Sequence, residues 1–229
     1  MNFFARVIKM NSKVITLPND LLNSKAIEIA VETLNRGGVI SVPTDTIYGI
    51  AGKAQDANVI NRIYQIKSRD RKKPLALCLG SVEEIFEWSQ VTVPESLLRA
   101  MFPGPFTLIF DRSSKLSEHI NPDVKSIGIR IPDHSFILSL CSTLREPLAL
   151  TSANKSFDKS CGRIDEFSYL WSNLDYVFDG GPLMGDPQKL GSTVIDLSQP
   201  KFFRINRPGC ALNLARSILS DQFSLKEIF

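Results

Sequence analysis

Three short polar clusters stand where chemistry could be done, each close behind an apolar run. The first is Pro43-Thr44-Asp45-Thr46-Ile47-Tyr48-Gly49, which follows Val39–Val42. Its hydroxyls and carboxylate either face a cleft at the end of a buried strand or only cap a proline-initiated turn. The second, Lys67-Ser68-Arg69-Asp70-Arg71-Lys72-Lys73-Pro74, is dense in basic residues. Such a loop is either solvated or a weak site for nucleic acid. Lys67 differs from its neighbours because it falls seven residues after Ile60 and continues the stripe of Ile60, Ile63 and Tyr64. An inward ammonium needs an anionic partner or a route to water, and a phosphate with the Arg69 fork beside it would be such a partner.

The third cluster, Ser152-Ala153-Asn154, follows Leu148-Ala149-Leu150. Its hydroxyl and amide either bond phosphate or ribose oxygens or cap a helix or turn. Two arginines belong beside these clusters. Arg130 ends the strand-like Ser126-Ile127-Gly128-Ile129-Arg130, where a guanidinium pairs with a carboxylate of the protein or of a ligand. Arg207 precedes Pro208-Gly209, and Gly191-Ser192-Thr193 opens a strand with N–H groups and hydroxyls suited to an anion.

The familiar nucleotide signatures, G-x-x-x-x-G-K-[ST], G-x-G-x-x-G and the kinase set, do not occur. Nor does G-x-S-x-G, and neither His119 nor His134 sits in a triad context. The chemistry suggested is positioning and electrostatic stabilisation of bound reactants, without a protein nucleophile.

The elements that must hold these clusters are short and mixed. Ser24–Asn35 puts Ile27, Ala30, Val31 and Leu34 on one helical face, with Gly37-Gly38 as a stop. A helix is expected over about Asn58–Lys67, and Ser81 with Glu84 forms a capping-box signal for another. Asp133 is the expected cap of a helix with core face Phe136, Ile137, Leu140 and Leu144. Further helices are expected near Asp165–Asn173 and Leu212–Leu219. Strands are expected at Val39–Val42, Leu75–Leu79, Thr107–Phe110, Ile127–Ile131, Leu148–Leu150, Tyr176–Phe178, Thr193–Leu197 and Phe202–Ile205. The mixture favours an α/β or α+β chain built on one twisted sheet, and no linker or repeat divides it.

Composition narrows the class. The chain has 229 residues and a net charge of only +3, so any anion binding must be local. No apolar run approaches the ~20 residues of a membrane span. Cys78, Cys141, Cys161 and Cys210 are scattered without a C-x-x-C pair, which argues against a disulfide framework or a zinc site and fits a reducing compartment. Arg6, Lys9 and Lys13 precede any acidic residue, as in a transit segment or a weakly docked terminus.

Taken together the clusters resemble the YrdC-like threonylcarbamoyl-adenylate synthases, over about Ala26–Arg216. The marks are GGVISVPTDTIYGIAG, Lys67 and Arg69 as K-x-R, KPLALCLG, PGPFTLIF, GIRIPDH, LALTSAN, LGSTVIDL and RPGCAL. Several of these runs resemble the animal YRDC members in particular. The resemblance implies a single catalytic domain at 23–220, with a flexible segment 1–22 before it and a tail 221–229 after it. It also implies a twisted mixed sheet curled around a basic cavity with flanking helices. The implied reaction condenses L-threonine, bicarbonate or carbon dioxide, and ATP to threonylcarbamoyl-AMP and pyrophosphate. A separate transferase complex would then place the threonylcarbamoyl group on tRNA beside the anticodon.

Matched position by position, Thr46, Arg130 and Ser192 would hold threonine. Lys67, Arg69, Ser126, Ser152, Asn154 and Arg207 would hold ATP, with Lys73 or Ser160 as additions and Lys67 and Arg69 as the catalytic pair. Magnesium would accompany ATP, with no protein ligand assigned to it. Relatives often carry a histidine where this chain has Cys78, so Cys78 is given no contact with threonine. The expected location is the cytoplasm, joined by a mitochondrial fraction if the basic N-terminal residues act as a transit segment, and direct tRNA binding is expected to be weak or absent. The competing reading is a non-catalytic RNA-binding module that uses the basic loop 67–73. Few aromatic residues accompany that loop, which weighs against this reading.

Overall fold

A computed structural model of the chain describes residues 13–17, 24–68, 73–155, 158–183 and 188–228. The expected flexible segment 1–22 lies largely outside the described residues, as do Arg69, Arg71 and Lys72 of the basic loop.

Helix α1 spans Ser24–Asn35 and buries Ala26, Ala30, Thr33 and Leu34. Ile27 and Val31, expected on its core face, are half-buried at the edge of that stripe. Gly37 ends the helix at φ +75°, a backbone conformation that a side chain would strain. Helix α2, Ala57–Ile66, starts from Asp56, whose carboxylate accepts the Asn58 and Val59 N–H groups at 2.8 and 3.2 Å. Ile60, Ile63 and Tyr64 are buried as the periodicity requires, and Lys67 caps its C-terminus.

Two expected caps are placed differently. The Ser81–Glu84 signal leads into only a four-residue helix, α3, at Ile85–Trp88, with Glu84 accepting the Gly80 N–H at 3.1 Å. Helix α4, Glu95–Met101, was not anticipated; it buries Leu97, Leu98 and Met101. Helix α5, Ser135–Leu144, buries the anticipated Phe136, Ile137, Leu140 and Leu144, yet its cap is His134 rather than Asp133. His134 Nδ1 accepts the Phe136 N–H at 3.3 Å. The Asp133 N–H meanwhile donates to Asp45, which ties Asp133 to the first polar cluster. Ile164–Asn173 is a kinked 3-10 stretch. The last expected helix divides into α6, Leu212–Arg216, and a π-helical turn over Ser217–Gln222.

The strands, in chain order, are β1 Val14–Thr16, β2 Ile40–Val42, β3 Gly49–Lys53, β4 Ala76–Cys78, β5 Ser89–Gln90 and β6 Phe106–Arg112. They continue with β7 Ser126–Arg130, β8 Leu148–Ser152, β9 Tyr176–Asp179, β10 Thr193–Asp196, β11 Phe202–Arg207 and β12 Lys226–Glu227. They form one mixed sheet in the order β1-β9-β2-β3-β8-β4-β7-β6-β10-β11-β12, with β5 beside β6. β12 runs parallel to β11, so part of the expected tail 221–229 is a sheet edge.

Period-two alternation gives this sheet two unlike faces. On one face Ile50, Leu77, Leu108, Phe110, Ile127, Ile129, Ala149 and Ile195 join α2, α4, the 3-10 stretch and α6 in the larger core. The opposite face is covered on one side by α1 and α5, packed over Ile40, Val42, Ala51, Cys78, Leu148 and Phe178. Beyond those helices the same face carries Ala76, Gly128, Thr107 and Ser126. These side chains are too small to fill the space above them.

Candidate active site

A cavity of about 380 Å³ lies over that small-residue region, within the size range of small-molecule sites. β4, β6, β7, β8 and β10 form its floor, and the segments Ile47–Gly49 and Asn206–Arg207 form walls. Gly128 is what keeps the floor low, since a Cβ there would come within 3.0 Å of Thr107 Cγ2.

Of the residues singled out by sequence, Ser126, Arg130, Ser152, Ser192 and Arg207 line this cavity together. They come from four separate parts of the chain, Ser126 and Arg130 being the two ends of β7. Thr46 stands directly behind Arg130, and Lys67 and Asn154 stand behind Ser152. Arg69 lies outside the described residues, and Lys73 and Ser160 are not among the lining residues.

Arg130 is 7% exposed and held from one side. Its Nη2 donates to Thr44 Oγ1 at 3.0 Å, to Asp45 Oδ1 at 2.6 Å and to Thr46 Oγ1. Thr44 Oγ1 in turn donates to the Ile47 carbonyl at 2.6 Å and accepts the Thr46 and Ile47 N–H groups. The hydroxyls of the first cluster therefore do cap a turn, and they hold a guanidinium as well. The Arg130 Nε is buried and has no partner among the described residues. A buried donor left unpaired is costly, and a bound acceptor would relieve it.

Arg207 reaches in from β11, an exposed residue whose guanidinium is nonetheless crowded by protein. Its Nη2 donates to the Ser192 carbonyl at 2.8 Å, and Ser192 Oγ lies 2.8 Å from Thr107 Oγ1. Burial, and then the charge of Arg130, lower the pKa of Arg207. The loop after Arg207 passes so close to β10 that a Cβ on Gly209 would sit 2.4 Å from the Ser192 carbonyl carbon. Thr107 was missed as a site residue because a lone threonine in an apolar strand carries no signal. Only the sheet register brings it opposite Val194, beside Ser192.

Lys67 is 1% exposed, as its helical phase requires. Its ammonium donates to the carbonyls of Ser152 and Asn154, the latter at 2.5 Å, and lies 3.4 Å from Ser152 Oγ. The partner that the inward lysine needed is thus a pair of carbonyls, and the lysine fixes the turn that carries Ser152 and Asn154. Asn154 Nδ2 is held by the Asp158 carbonyl at 2.7 Å. Tyr48 braces the opposite wall: its hydroxyl donates to the Gly181 carbonyl at 2.7 Å and accepts the Gly180 N–H at 2.9 Å. Burial and then the Asp179 carboxylate push the Tyr48 pKa up, so it remains a neutral phenol. Cys78 turns away from the cavity, and its Sγ lies 3.8 Å from Cys141 Sγ under α5.

Two guanidiniums and one carboxylate, Asp45, leave this cavity net positive, as an anionic ligand requires. Among the described residues no group of three or more His, Cys, Asp or Glu side chains converges to make a metal cage. No described helix is long and apolar enough to cross a membrane.

Known proteins resemble this chain over most of its length. The Sua5/YciO/YrdC family model, described as "Telomere recombination", matches residues 32–209. A mouse protein named threonylcarbamoyl-AMP synthase is 47% identical over 206 residues, 88% of this chain and 73% of its own. The human protein of the same name is 45% identical over 88% of this chain and 74% of its own. Among solved structures, Pyrococcus abyssi Sua5 complexed with L-threonine superposes with a TM-score of 0.80 at 26% identity, covering 94% of this chain and 62% of that one. The chain belongs to the Sua5/YciO/YrdC family.

Proposed function

We infer that this chain is a threonylcarbamoyl-AMP synthase, a nucleotidyltransferase that condenses L-threonine, bicarbonate or carbon dioxide, and ATP. One observation carries the reading: Arg130 and Arg207 both line one closed-bottomed cavity, and among its described lining residues there is no carboxylate. The relatives of that name extend over most of the chain, which favours an enzyme over an RNA-binding module.

Arg130, held by Thr46 and lining the same cavity as Ser192, suits the threonine carboxylate, because a guanidinium fork matches a carboxylate in shape and charge. Ser126, Ser152, Asn154 and Arg207 suit the nucleotide, together with Arg69. Lys67 serves it from behind, by fixing the Ser152–Asn154 turn. The threonine amine first takes up carbon dioxide to give a carbamate. A carbamate oxygen then attacks the α-phosphorus of ATP, and the bond to pyrophosphate breaks as the new P–O bond forms. Positive charge at the cavity offsets the negative charge that builds on the phosphoryl oxygens. The cavity also keeps water from the carbamate, which reverts readily in bulk solvent.

The described donor set offers no carboxylate cage, so magnesium would arrive bound to the nucleotide phosphates. The product is a labile mixed anhydride, which requires prompt transfer to an acceptor. We propose hand-off to a tRNA threonylcarbamoyl transferase complex, with weak or no direct tRNA binding, in the cytoplasm and in a mitochondrial fraction.

The test is pyrophosphate release by the purified protein. Release that needs both threonine and bicarbonate supports the synthase; none in their presence favours a binding module. A covalent enzyme–AMP or enzyme–carbamoyl species would overturn the order of steps.

A further inference from the structure

The turn Thr44–Ile47 contains one carboxylate, and both of its oxygens are committed. Asp45 Oδ1 accepts from Arg130 Nη2 at 2.6 Å, while Asp45 Oδ2 accepts the Asp133 N–H at 3.1 Å. The two side chains are 8% and 9% exposed, so this is a largely dry ion pair. Asp45 belongs to the turn after β2, Arg130 ends β7, and Asp133 lies in the segment leading into α5. A single side chain therefore joins the turn on one wall to the strand end and helix approach on the other.

We propose that Asp45 is a positioning residue for threonine: it sets the direction in which Arg130 presents its guanidinium to the substrate carboxylate. This inference rests on the synthase reading above. The argument is geometric. Three acceptors on the turn, Thr44 Oγ1, Asp45 Oδ1 and Thr46 Oγ1, all take the same nitrogen, Nη2. The guanidinium is planar, so fixing one terminal nitrogen from one side sets the plane and the direction of the remaining N–H groups. The buried, unpartnered Nε belongs to that fixed plane. Asp45 is the charged member of the three and also fastens the backbone three residues beyond Arg130.

The same contacts allow an opposite expectation. An internal carboxylate could simply compete with the substrate's carboxylate for Arg130. Removing it would then add net positive charge and tighten threonine binding. The two roles predict changes of opposite sign.

A second requirement separates them from generic packing. Both partners of Asp45 are donors, so both of its side-chain atoms must be acceptors. Asparagine places an NH2 against either Arg130 or the Asp133 N–H, and therefore replaces one bond by a donor–donor contact. Asp45→Asn keeps the volume and loses the function.

The experiment measures steady-state pyrophosphate release, and threonine binding by calorimetry, for wild type, Asp45→Asn, Asp45→Ala, Arg130→Ala and the Asp45→Ala/Arg130→Ala double variant. Thermal melts accompany each protein. The expected result is a rise of about tenfold to a hundredfold in the threonine KM and Kd for both Asp45 variants. The ATP KM should stay within about twofold, since only the direction of Arg130 changes. In the Arg130→Ala background the Asp45 substitution should add almost nothing, because the two act as one unit. A lowered threonine KM in Asp45→Ala, equal rises in both KM values, or additive losses in the double variant would each overturn the proposal. If Asp45→Ala melts before assay, Asp45→Asn decides alone. Wild type that neither binds threonine nor needs it for turnover refutes the synthase reading itself, an outcome distinct from normal threonine binding by the Asp45 variants.

Discussion

The Lys67 ammonium lies 2.5 Å from the carbonyl oxygen of Asn154, across 87 residues of chain. The same nitrogen also meets the Ser152 carbonyl, so one buried charge closes a turn that two site residues share. Lys67→Ala should abolish adenylate formation while the overall fold survives. It should also lower stability by about 2–4 kcal/mol, because carbonyls lose their donor and the stem leaves a gap. Lys67→Met, which keeps the stem, should recover part of that stability and none of the activity. Circular-dichroism melts and pyrophosphate release together check both halves, and wild-type turnover in either variant would remove Lys67 from the site.

His134 makes stability depend on pH. Burial lowers its pKa below the ordinary 6.5, against the smaller opposing pull of Asp45 and Asp133. Its Nδ1 accepts the Phe136 N–H, and a proton there would turn the acceptor into a donor. The unfolded chain thus takes up a proton at higher pH than the folded one does. Stability is full above about pH 6.5 and falls as the pH drops through the lowered folded value. His134→Asn keeps a helix cap without a titrating group, so its melting temperature should fall less steeply with acid.

Thiol accessibility offers a direct check on the packing. Of the four cysteines, only Cys210 is exposed; Cys78, Cys141 and Cys161 are buried. Burial pushes the Cys161 thiol up to about 11, and its contact with Cys78, together with burial, raises Cys141. Since the thiolate is the reactive form, an aromatic disulfide reagent should titrate one thiol in the native protein and four after unfolding. Rapid native reaction of a second thiol would mean that α5 or the 158–163 segment opens.

Gly209 should not accept a side chain. A Cβ there would lie 2.4 Å from both the Ser192 carbonyl carbon and the Thr193 nitrogen, which are backbone atoms with no rotamer to yield. Gly209→Ala should cost about 1–3 kcal/mol of stability. By shifting Arg207 and Ser192 it should also lower kcat/KM between about tenfold and a hundredfold. A melt combined with steady-state kinetics tests both effects.

These cases show where the sequence was legible. The inward phase of Lys67 was plain in Ile60, Ile63 and Tyr64, because helical periodicity reports direction. Its partners were not, since backbone carbonyls 85 and 87 residues away have no sequence signature. The paired gathering of Ser192 with Thr107, and of Arg130 with Asp45, depends on sheet order, which local patterns do not encode. β3 went unread because Gly49-Ile50-Ala51-Gly52-Lys53, with two glycines in five residues, lacks strand propensity and owes its form to pairing with β2 and β8. His134 takes the helix cap because the helix opens at Ser135, which leaves Asp133 one residue short of the cap position.

The two-faced sheet has a consequence for how such a protein can change. Along β6 and β7, Leu108, Phe110, Ile127 and Ile129 hold the chain together, while Thr107, Ile109, Ser126 and Gly128 shape what enters. Adjacent positions thus answer to different selective pressures, and the two sets share no member. Along these two strands a change in what the cavity accepts need not disturb the core behind the sheet, whereas at Tyr48 and Leu75, which belong to both, it would.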